Sequence, residues 1–505
     1  MQIVWLKKDL RDEEHAPLYE AARSGAFSIL YICEPSLWAG ADSSSRHYQF
    51  TCEALAALKL RLEARGLSLS IAVGEAPQIL AALHAKTPIT RLLSHEECGN
   101  WQSFARDKAV RAFTKANGII WDEFSQFGFE RGHTTRRGWA KRWHDKMLSP
   151  LIAPPSSKYF IKLPSQDMPS AASLGLAPMD NQTIAKAGRD KAIYNLNDFL
   201  SYRGRSYRSD LSSPLRSAHS GSHISAHLTY GNLSMKEVFQ ATINAKNAKS
   251  GGDADKRFKQ SLTSFSSRLH WHCHFMQKLE DEPQIEFRNF HPAYDGLRDD
   301  NPHSERLQRW QEGMTGYPMI DACMRSLIKT GWINFRMRAM LVSFASYHLW
   351  LDWRLPALHL ARLFTDYEPG IHYSQCQMQS GTTGINALRI YNPIKQSQDQ
   401  DPQGEFIRKY CPELRDIPTH MIHTPWLLPA RSGGYPLPIV DEKQARRKAA
   451  TIMHELRKAQ NHKRKAAEIE EKHGSRKSGL PQNANKPMKP VKRISKDSKQ
   501  IELPL

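Results

Sequence analysis

The chain has 505 residues, beyond the size at which a single hydrophobic core keeps growing, so a lone small domain is excluded and at least two domains are expected. A formal charge of +20 and a pI near 9.6 predict a polyanionic partner without bearing on the fold. Seven cysteines with neither CxxC spacing nor a secreted framework exclude a disulfide scaffold and a structural zinc site, and predict reduced thiols in a cytoplasmic compartment.

The opening residues MQIVWLKKDLRDEE lack a signal-peptide core, and no apolar run approaches a membrane span, so a soluble protein is expected. Over residues 1–130 the short apolar runs QIVWL, FSILYIC, LSLSIAV, RLLSH and GIIWDEF alternate with helical patterns such as FTCEALAALKLRLEARG. That alternation predicts parallel strands with crossover helices, a Rossmann-like α/β domain. It contains no GxGxxG and no GxxxxGK[ST], so no fingerprint assigns it a dinucleotide or triphosphate.

Residues 131–195, rich in Pro, Ser and Ala, predict a connector lying over the surface. Residues 196–455 carry long amphipathic stretches, among them FSSRLHWHCHFMQKLED and MIDACMRSLIKTGWINFRMRAMLVSFASYHLWLDW, and predict an all-α domain. Residues 456–505 are dense in Lys and Arg and low in aromatics, which predicts a disordered tail that either solvates the chain or adds nonspecific phosphate contacts.

Candidate chemistry starts in TGWINFRMRAMLVSF, where Arg336 and Arg338 sit in an otherwise apolar helical pattern. A buried guanidinium without a partner costs several kcal/mol, so acidic partners are expected among Asp352, Asp366 and Glu368. Such a pair is either a structural bridge between helices or an Arg and Asp beside an anionic or polarisable cofactor. In PLRSAHSGSHISAHLTYGNLS, the residues Ser220, Gly221, Ser222 and Ser225 precede a helical pattern, a composition that caps helices everywhere and only on occasion forms a phosphate site. Gly381 and Gly384 in SGTTGINALRIYNP read as turn residues. In LHWHCHF, His270 and His274 stand one helical turn apart, but no acidic third ligand follows and no metal is expected.

Five segments then carry a resemblance in order along the chain: VWLKKDLR, SGSHISAHLTYGNLS, WQEGMTGYPMIDACMRSLIKTGWINFRMR, RIYNPIKQSQDQDPQGEFIRKYCPEL and YPLPIVDEKQARRKA. The chain resembles the photolyase/cryptochrome family, most specifically from Trp310 to Leu414. The resemblance implies an N-terminal α/β antenna domain and a helical domain holding FAD in a folded conformation. It implies FAD phosphates near Tyr207 and the run Gly221, Ser222, His223, Ile224 and Ser225, with Gly221 and His223 standing where the family usually has Thr and Arg. Arg338 matches the arginine that pairs with an aspartate against the flavin, and Asp366 matches that aspartate, with Glu368 beside it in the cofactor set. Trp332 and Phe265 match residues walling the cofactor, His272 a nearby family arginine, and His372 the side chain facing flavin N5.

The implied lesion pocket departs from the family. Trp271 matches an aromatic that packs on a flipped pyrimidine dimer. Arg268 stands where cyclobutane-dimer photolyases carry a glutamate, Phe335 where they carry an asparagine, and Met378 where a second stacking Trp is usual. The histidines of a (6-4) photolyase would fall at Phe335 and Ala339. In the implied electron-transfer chain Trp353 matches the middle tryptophan, Cys376 takes the flavin-proximal place, and the distal place falls near Asp300. Tyr373, Tyr391 and Trp350 offer another route, or are simply core.

The resemblance therefore implies a FAD-dependent, light-driven DNA repair enzyme acting as a monomer on DNA containing UV lesions, with a second antenna chromophore of unnamed identity and no membrane partner. Photoexcited reduced FAD would donate an electron to split a pyrimidine dimer. The alternative is a cryptochrome-like blue-light photoreceptor.

Overall fold

The computed structural model describes residues 1–474 apart from 133–135, 156–158, 180–181, 184, 249–250 and 429–433. Five strands, β1 (Gln2–Leu6), β2 (Phe27–Cys33), β3 (Leu69–Val73), β4 (Arg91–His95) and β5 (Ile120–Phe124), form one parallel sheet in the order β3-β2-β1-β4-β5. Every residue of β1 and β2 is buried, as strands covered on both faces require. Alternate side chains supply two cores. Val4, Leu6, Ile29 and Tyr31 pack with Leu18, Leu55 and Leu62 of the helices Ala16–Ser24 and Ser45–Glu63. Ile3, Trp5, Leu30 and Ile32 face Leu80 and Val110 of the helices Ala76–Lys86 and Trp101–Ala116.

Strand order reverses between β1 and β4, which opens a crevice at the carboxyl ends of the strands. A cavity of about 130 Å³ lies there, lined by Trp5, Tyr31, Trp38, Asp42, His47 and Tyr367 among others.

The connector is more than a surface strap. Its helix Trp139–Leu148 buries Trp139, Trp143 and Met147, because two indoles one turn apart form an apolar face that needs cover. That face joins the core of the long helix Asp253–Asp281. Further along, Ile161 N–H donates to Phe27 O and Gln166 N–H to Ile71 O, both at 2.8 Å, tying the connector to the α/β domain. The helix Arg189–Ser201 runs through the expected boundary at 195.

The helical region is built on the 29-residue helix Asp253–Asp281, which buries Phe258, Leu262, Phe265, Leu269, Cys273 and Met276 at spacings of three and four. The stretch read as one long amphipathic run is divided. Gly331, at φ 71, ends the helix Pro318–Thr330, and a new helix, Phe335–Ser343, begins after Asn334. A Cβ at Gly331 would overlap Thr365 Oγ1 and the Arg46 side chain, so only glycine permits the reversal.

The two domains meet at the main chain of Tyr230 and Gly231. Leu10 N–H donates to Tyr230 O at 3.1 Å, Arg11 Nη1 donates to Gly231 O at 3.2 Å, and Gly231, at φ 68, lies against the Asp9 main chain. The expectation of disorder from residue 456 onward is corrected for its first part. The helix Glu442–Lys458 continues past that point, and Gln460–His473 is helical with His462, Ile469 and His473 buried. Residues 475–505 of that expectation lie outside the described residues. Among the described residues no helix is long and apolar enough to cross a membrane.

Candidate cofactor-binding site

The arginine that looked misplaced in an apolar helix finds its partner across the helical domain. Arg338 donates from Nη1 to Asp366 Oδ1 at 3.0 Å and from Nη2 to Asp366 Oδ2 at 2.9 Å, while Nε donates to Ile333 O at 2.8 Å. The pair is unequally desolvated: the Arg338 side chain is 23% exposed and that of Asp366 only 7%. Arg338 also lies over the Phe364 ring, with Cζ 4.1 Å from its centroid. The neighbouring Arg336 does a different job. It donates to Ser212 Oγ at 2.8 Å and to Gln396 Oε1 at 3.4 Å, fastening a loop and a helix to the same element.

His372 stands on the helix Pro369–Ser380, close enough to Arg338 and Asp366 to feel both charges. Burial lowers its pKa to about 4, so it is neutral at pH 7. Its Nε2–H donates to Ala357 O at 2.8 Å, which leaves Nδ1 as an acceptor with no partner among the described residues. Asp366 and His372 thus differ from Glu368, whose side chain turns into a small crevice between the domains with Lys8, Glu97, Cys98 and Met276. Burial raises the Glu368 pKa to about 7, against the pull of Lys8.

The long helix carries Phe265, Arg268, Trp271 and His272, and of these His272 feels the Asp366 charge. Phe265 is buried, with the Phe199 ring 4.7 Å and the Tyr207 ring 5.9 Å away. Burial raises the Tyr207 phenol while Arg268 pulls it back. His272, its ring 5.2 Å from that of Phe127, is lowered to about 4 by burial against the opposing charge of Asp366. The Arg268 guanidinium lies 5.9 Å from the Phe335 ring centroid, so the two residues that depart from the family's glutamate and asparagine make a cation–π contact with each other. Trp271 is half-buried, 5.6 Å from Phe275 and 5.3 Å from His274 between ring centroids, and Met378 is half-buried on the helix Pro369–Ser380.

The candidate phosphate run forms a tight corner between two short helices. Gly221 N–H donates to Ser217 O at 3.0 Å, its carbonyl accepts from Arg203, and Ile224 is buried as an anchor. His223 holds φ 56, a left-handed backbone that costs an L residue about 1–2 kcal/mol, and its exposed ring is 5.8 Å from Trp332. Ser222 and Ser225 flank it, half-buried. Behind Gly221, Ser217 Oγ is buried without a hydrogen-bond partner among the described residues. That orphaned hydroxyl fits a polar ligand at this corner. A flavin offers carbonyl acceptors, a ring N–H donor and a flat face, and the Arg338–Asp366 pair, His372 Nδ1 and Trp332 supply matching groups. When bound, the flavin would supply the light absorption and one-electron chemistry; these residues would hold and orient it.

Of the expected electron-transfer residues, Trp353 and Tyr373 pack together, and Tyr367 joins them. Trp353 is fully buried, donates from Nε1 to Asn289 Oδ1 at 2.7 Å, and lies 6.4 Å from Tyr373. Tyr373 continues to Tyr367 at 6.3 Å, and His372 touches both rings, at 5.4 and 5.2 Å. Cys376 Sγ is 3.7 Å from His372 Nε2. Tyr391 makes no ring contact among the described residues, and Trp350 belongs to a separate cluster with Tyr294 and Tyr347. The sequence reading missed Tyr367 and Asp42; Tyr367 stood in plain view between Asp366 and Glu368, whereas Asp42 carried no local signal.

The histidine-rich stretch is used for packing. His270 lies 3.8 Å from Trp143 and hydrogen-bonds Ser266 O, and His274 Nδ1 accepts from Arg136 at 3.3 Å. A tighter group, Asp9 with His15 and His95, lies inside the α/β domain; both imidazoles meet Asp9 Oδ2, at 2.9 and 2.7 Å, and all three are buried. The His95 contact is a hydrogen bond, and His15 Nδ1 accepts from Leu18 N–H to cap the helix Ala16–Ser24.

Comparison with known proteins agrees with this architecture. Residues 2–127 match the family model described as DNA photolyase, and residues 265–455 match the FAD binding domain of DNA photolyase. The chain is 25% identical over 494 residues to the deoxyribodipyrimidine photo-lyase of Alkalihalophilus pseudofirmus, covering 90% of this chain and 97% of that one. It is 26% identical over 478 residues to cryptochrome DASH of Gloeobacter violaceus, covering 87% and 93%. Its fold is similar to the crystal structure of a bacterial class III photolyase from Agrobacterium tumefaciens, with a TM-score of 0.77 at 26% identity over 91% of this chain and 98% of that one. With both domains matched in order, and the five-stranded parallel sheet followed by the helical FAD-binding domain, the chain belongs to the photolyase/cryptochrome family.

Proposed function

We propose that this protein is a FAD-dependent, light-driven DNA repair enzyme that splits UV-induced pyrimidine dimers with an electron from photoexcited reduced flavin. The observation that supports the reading is the convergence of the Arg338–Asp366 fork with two neutral imidazoles, His372 and His272, both close enough to feel the Asp366 charge. Arg338, Asp366, His372, Trp332 and Phe265 would hold the ring, and the Gly221–Ser225 corner its phosphates. The bidentate pair stabilises negative charge in its neighbourhood without a proton moving.

Trp271 offers a flat face to an extruded base, and Arg268 takes the role of positioning the lesion carbonyls in place of a carboxylate. The formal charge of +20 supports docking on phosphates. The cavity at the carboxyl ends of the β-strands is the natural seat for a second chromophore. Cryptochrome-like signalling is the second reading, favoured by the Arg268–Phe335 contact that replaces hydrogen-bonding groups in the lesion pocket.

Illuminating the reduced protein with dimer-containing single- and double-stranded DNA and quantifying restored pyrimidines tests the reading. Restored pyrimidines support repair; FAD bound with no turnover on either dimer type supports the photoreceptor instead. A purified protein that takes up no FAD would overturn both.

A further inference from the structure

Between the α/β cavity and His372 lies a hydrogen-bonded line of phenols that joins the two domains. Tyr367 donates its hydroxyl to Asp42 Oδ2 at 2.6 Å, and the Tyr373 hydroxyl lies within hydrogen-bond distance of that of Tyr367, at 3.0 Å. Asn100 Nδ2 holds the same Asp42 oxygen at 2.9 Å, and the His47 ring stacks on Tyr367 at 5.8 Å and 22°. Asp42 and Tyr367 are 325 residues apart and both are buried, yet both line the cavity of about 130 Å³. On the other side, the rings of Tyr367 and Tyr373 lie 5.2 and 5.4 Å from His372.

A phenol that loses an electron becomes a strong acid, so a buried tyrosine is readily oxidised only where a base waits within hydrogen-bond reach. Of the three oxidisable rings in this line, Trp353 gives its N–H to the Asn289 amide oxygen, which is no base, whereas Tyr367 gives its O–H to a carboxylate. Burial, with Tyr373 and Asp42 next in weight, pushes the Tyr367 phenol well above its ordinary range, so it stays protonated until it is oxidised.

We propose that Tyr367 is a redox-active tyrosine with Asp42 as its proton acceptor, so that electrons reach the His372 side from the α/β domain through Tyr367 and Tyr373. The direction of flow rests on the flavin reading above. On oxidation the Tyr367 O–H bond breaks, one electron leaves to a one-electron oxidant, a role a bound photoexcited flavin would fill, and the proton crosses to Asp42 Oδ2, leaving a neutral phenoxyl radical. A thiolate in solution returns one electron, becoming a thiyl radical, and Asp42 returns the proton.

The test is electron paramagnetic resonance after flash illumination of the full chain, with oxidised FAD in one arm and a soluble metal-polypyridyl photo-oxidant in the other. A neutral tyrosyl signal is expected in the native protein, slowed in its formation by D2O. It is lost in Tyr367→Phe, is lost or no longer D2O-sensitive in Asp42→Asn, and returns in Asp42→Glu, which keeps a carboxylate. The same signal in Tyr367→Phe, or an Asp42→Asn variant that behaves as native, overturns the proposal. If FAD does not bind, the flavin reading falls, while the photo-oxidant arm still decides whether Tyr367 and Asp42 act as a pair.

Discussion

Arg338 grips Asp366 through both carboxylate oxygens, at 3.0 and 2.9 Å, and its third donor is taken by the Ile333 carbonyl at 2.8 Å. A fork held at three points is a rigid wall for a cofactor rather than a loose surface pair. Replacing Asp366 by Asn keeps the shape and removes the charge that Arg338 faces. We expect Asp366→Asn to lose about 1–3 kcal/mol of stability and to shed FAD on gel filtration. Flavin absorbance after desalting, read beside a urea midpoint, checks both; full retention of flavin would remove this pair from the cofactor site.

The α/β domain was legible because a buried parallel strand is a short run of apolar residues, and QIVWL and FSILYIC are just that. Arg338 was legible as a charge needing a partner, and its family position narrowed the candidates to Asp366. The Tyr367–Asp42 contact was not, because it joins two domains across 325 residues and neither residue type is unusual where it stands. The helix Gln460–His473 was misread for a related reason. Its buried face is two histidines and one isoleucine, so composition spoke for solvent while the partners sat elsewhere. Likewise Trp139 and Trp143 were hidden by the Pro- and Ser-rich sequence that follows them.

Acid should weaken this fold before carboxylates of ordinary pKa titrate, although Glu368, raised to about 7 by burial, takes up its proton earlier. Burial lowers His95 to about 3 and His47, His227, His372 and His473 to about 4, and all five are buried. In the unfolded chain each titrates near 6.5. A depressed pKa means the stability is fully present above 6.5 and is lost as pH falls toward 4, at up to about 1.4 kcal/mol per pH unit for each imidazole. Urea midpoints measured at pH 7.5, 6 and 5 should drop steeply below 6.5; a flat profile to pH 5 would mean these rings are charged in the native state.

Gly231 is a point where the two domains permit nothing larger than hydrogen. It holds φ 68, and a Cβ there would run into the Asp9 backbone. Gly231→Ala combines left-handed strain with a main-chain clash, so a loss of about 2 kcal/mol or more is expected. A substitution at Gly252, which meets nothing within 4 Å and has an ordinary φ, is the control. Equal urea midpoints for the two alanine variants would show that the domains can separate at Gly231 without cost.

The helix Gln460–His473 should behave as part of the fold. The His462 ring stacks on His291 at 4.0 Å and its Nε2 meets the Tyr294 hydroxyl at 2.9 Å. At the other end His473 bonds Glu282 at 2.9 Å and lies 5.0 Å from the Phe290 ring, with Ile469 buried between. Ending the chain after Lys458 exposes Phe290 and His291 and removes one buried isoleucine, a loss of about 2–4 kcal/mol. It also lets water reach Lys278, whose amine is lowered to about 7 by burial and by Arg136 and lies 5.0 and 5.9 Å from the Phe275 and Phe290 ring centroids. Deletion should therefore raise the Lys278 pKa toward its ordinary value, so that the amine's reactivity toward an acylating reagent at pH 8 falls as the midpoint drops. A truncated protein with unchanged midpoint and unchanged labelling would return this helix to the status of a solvated tail.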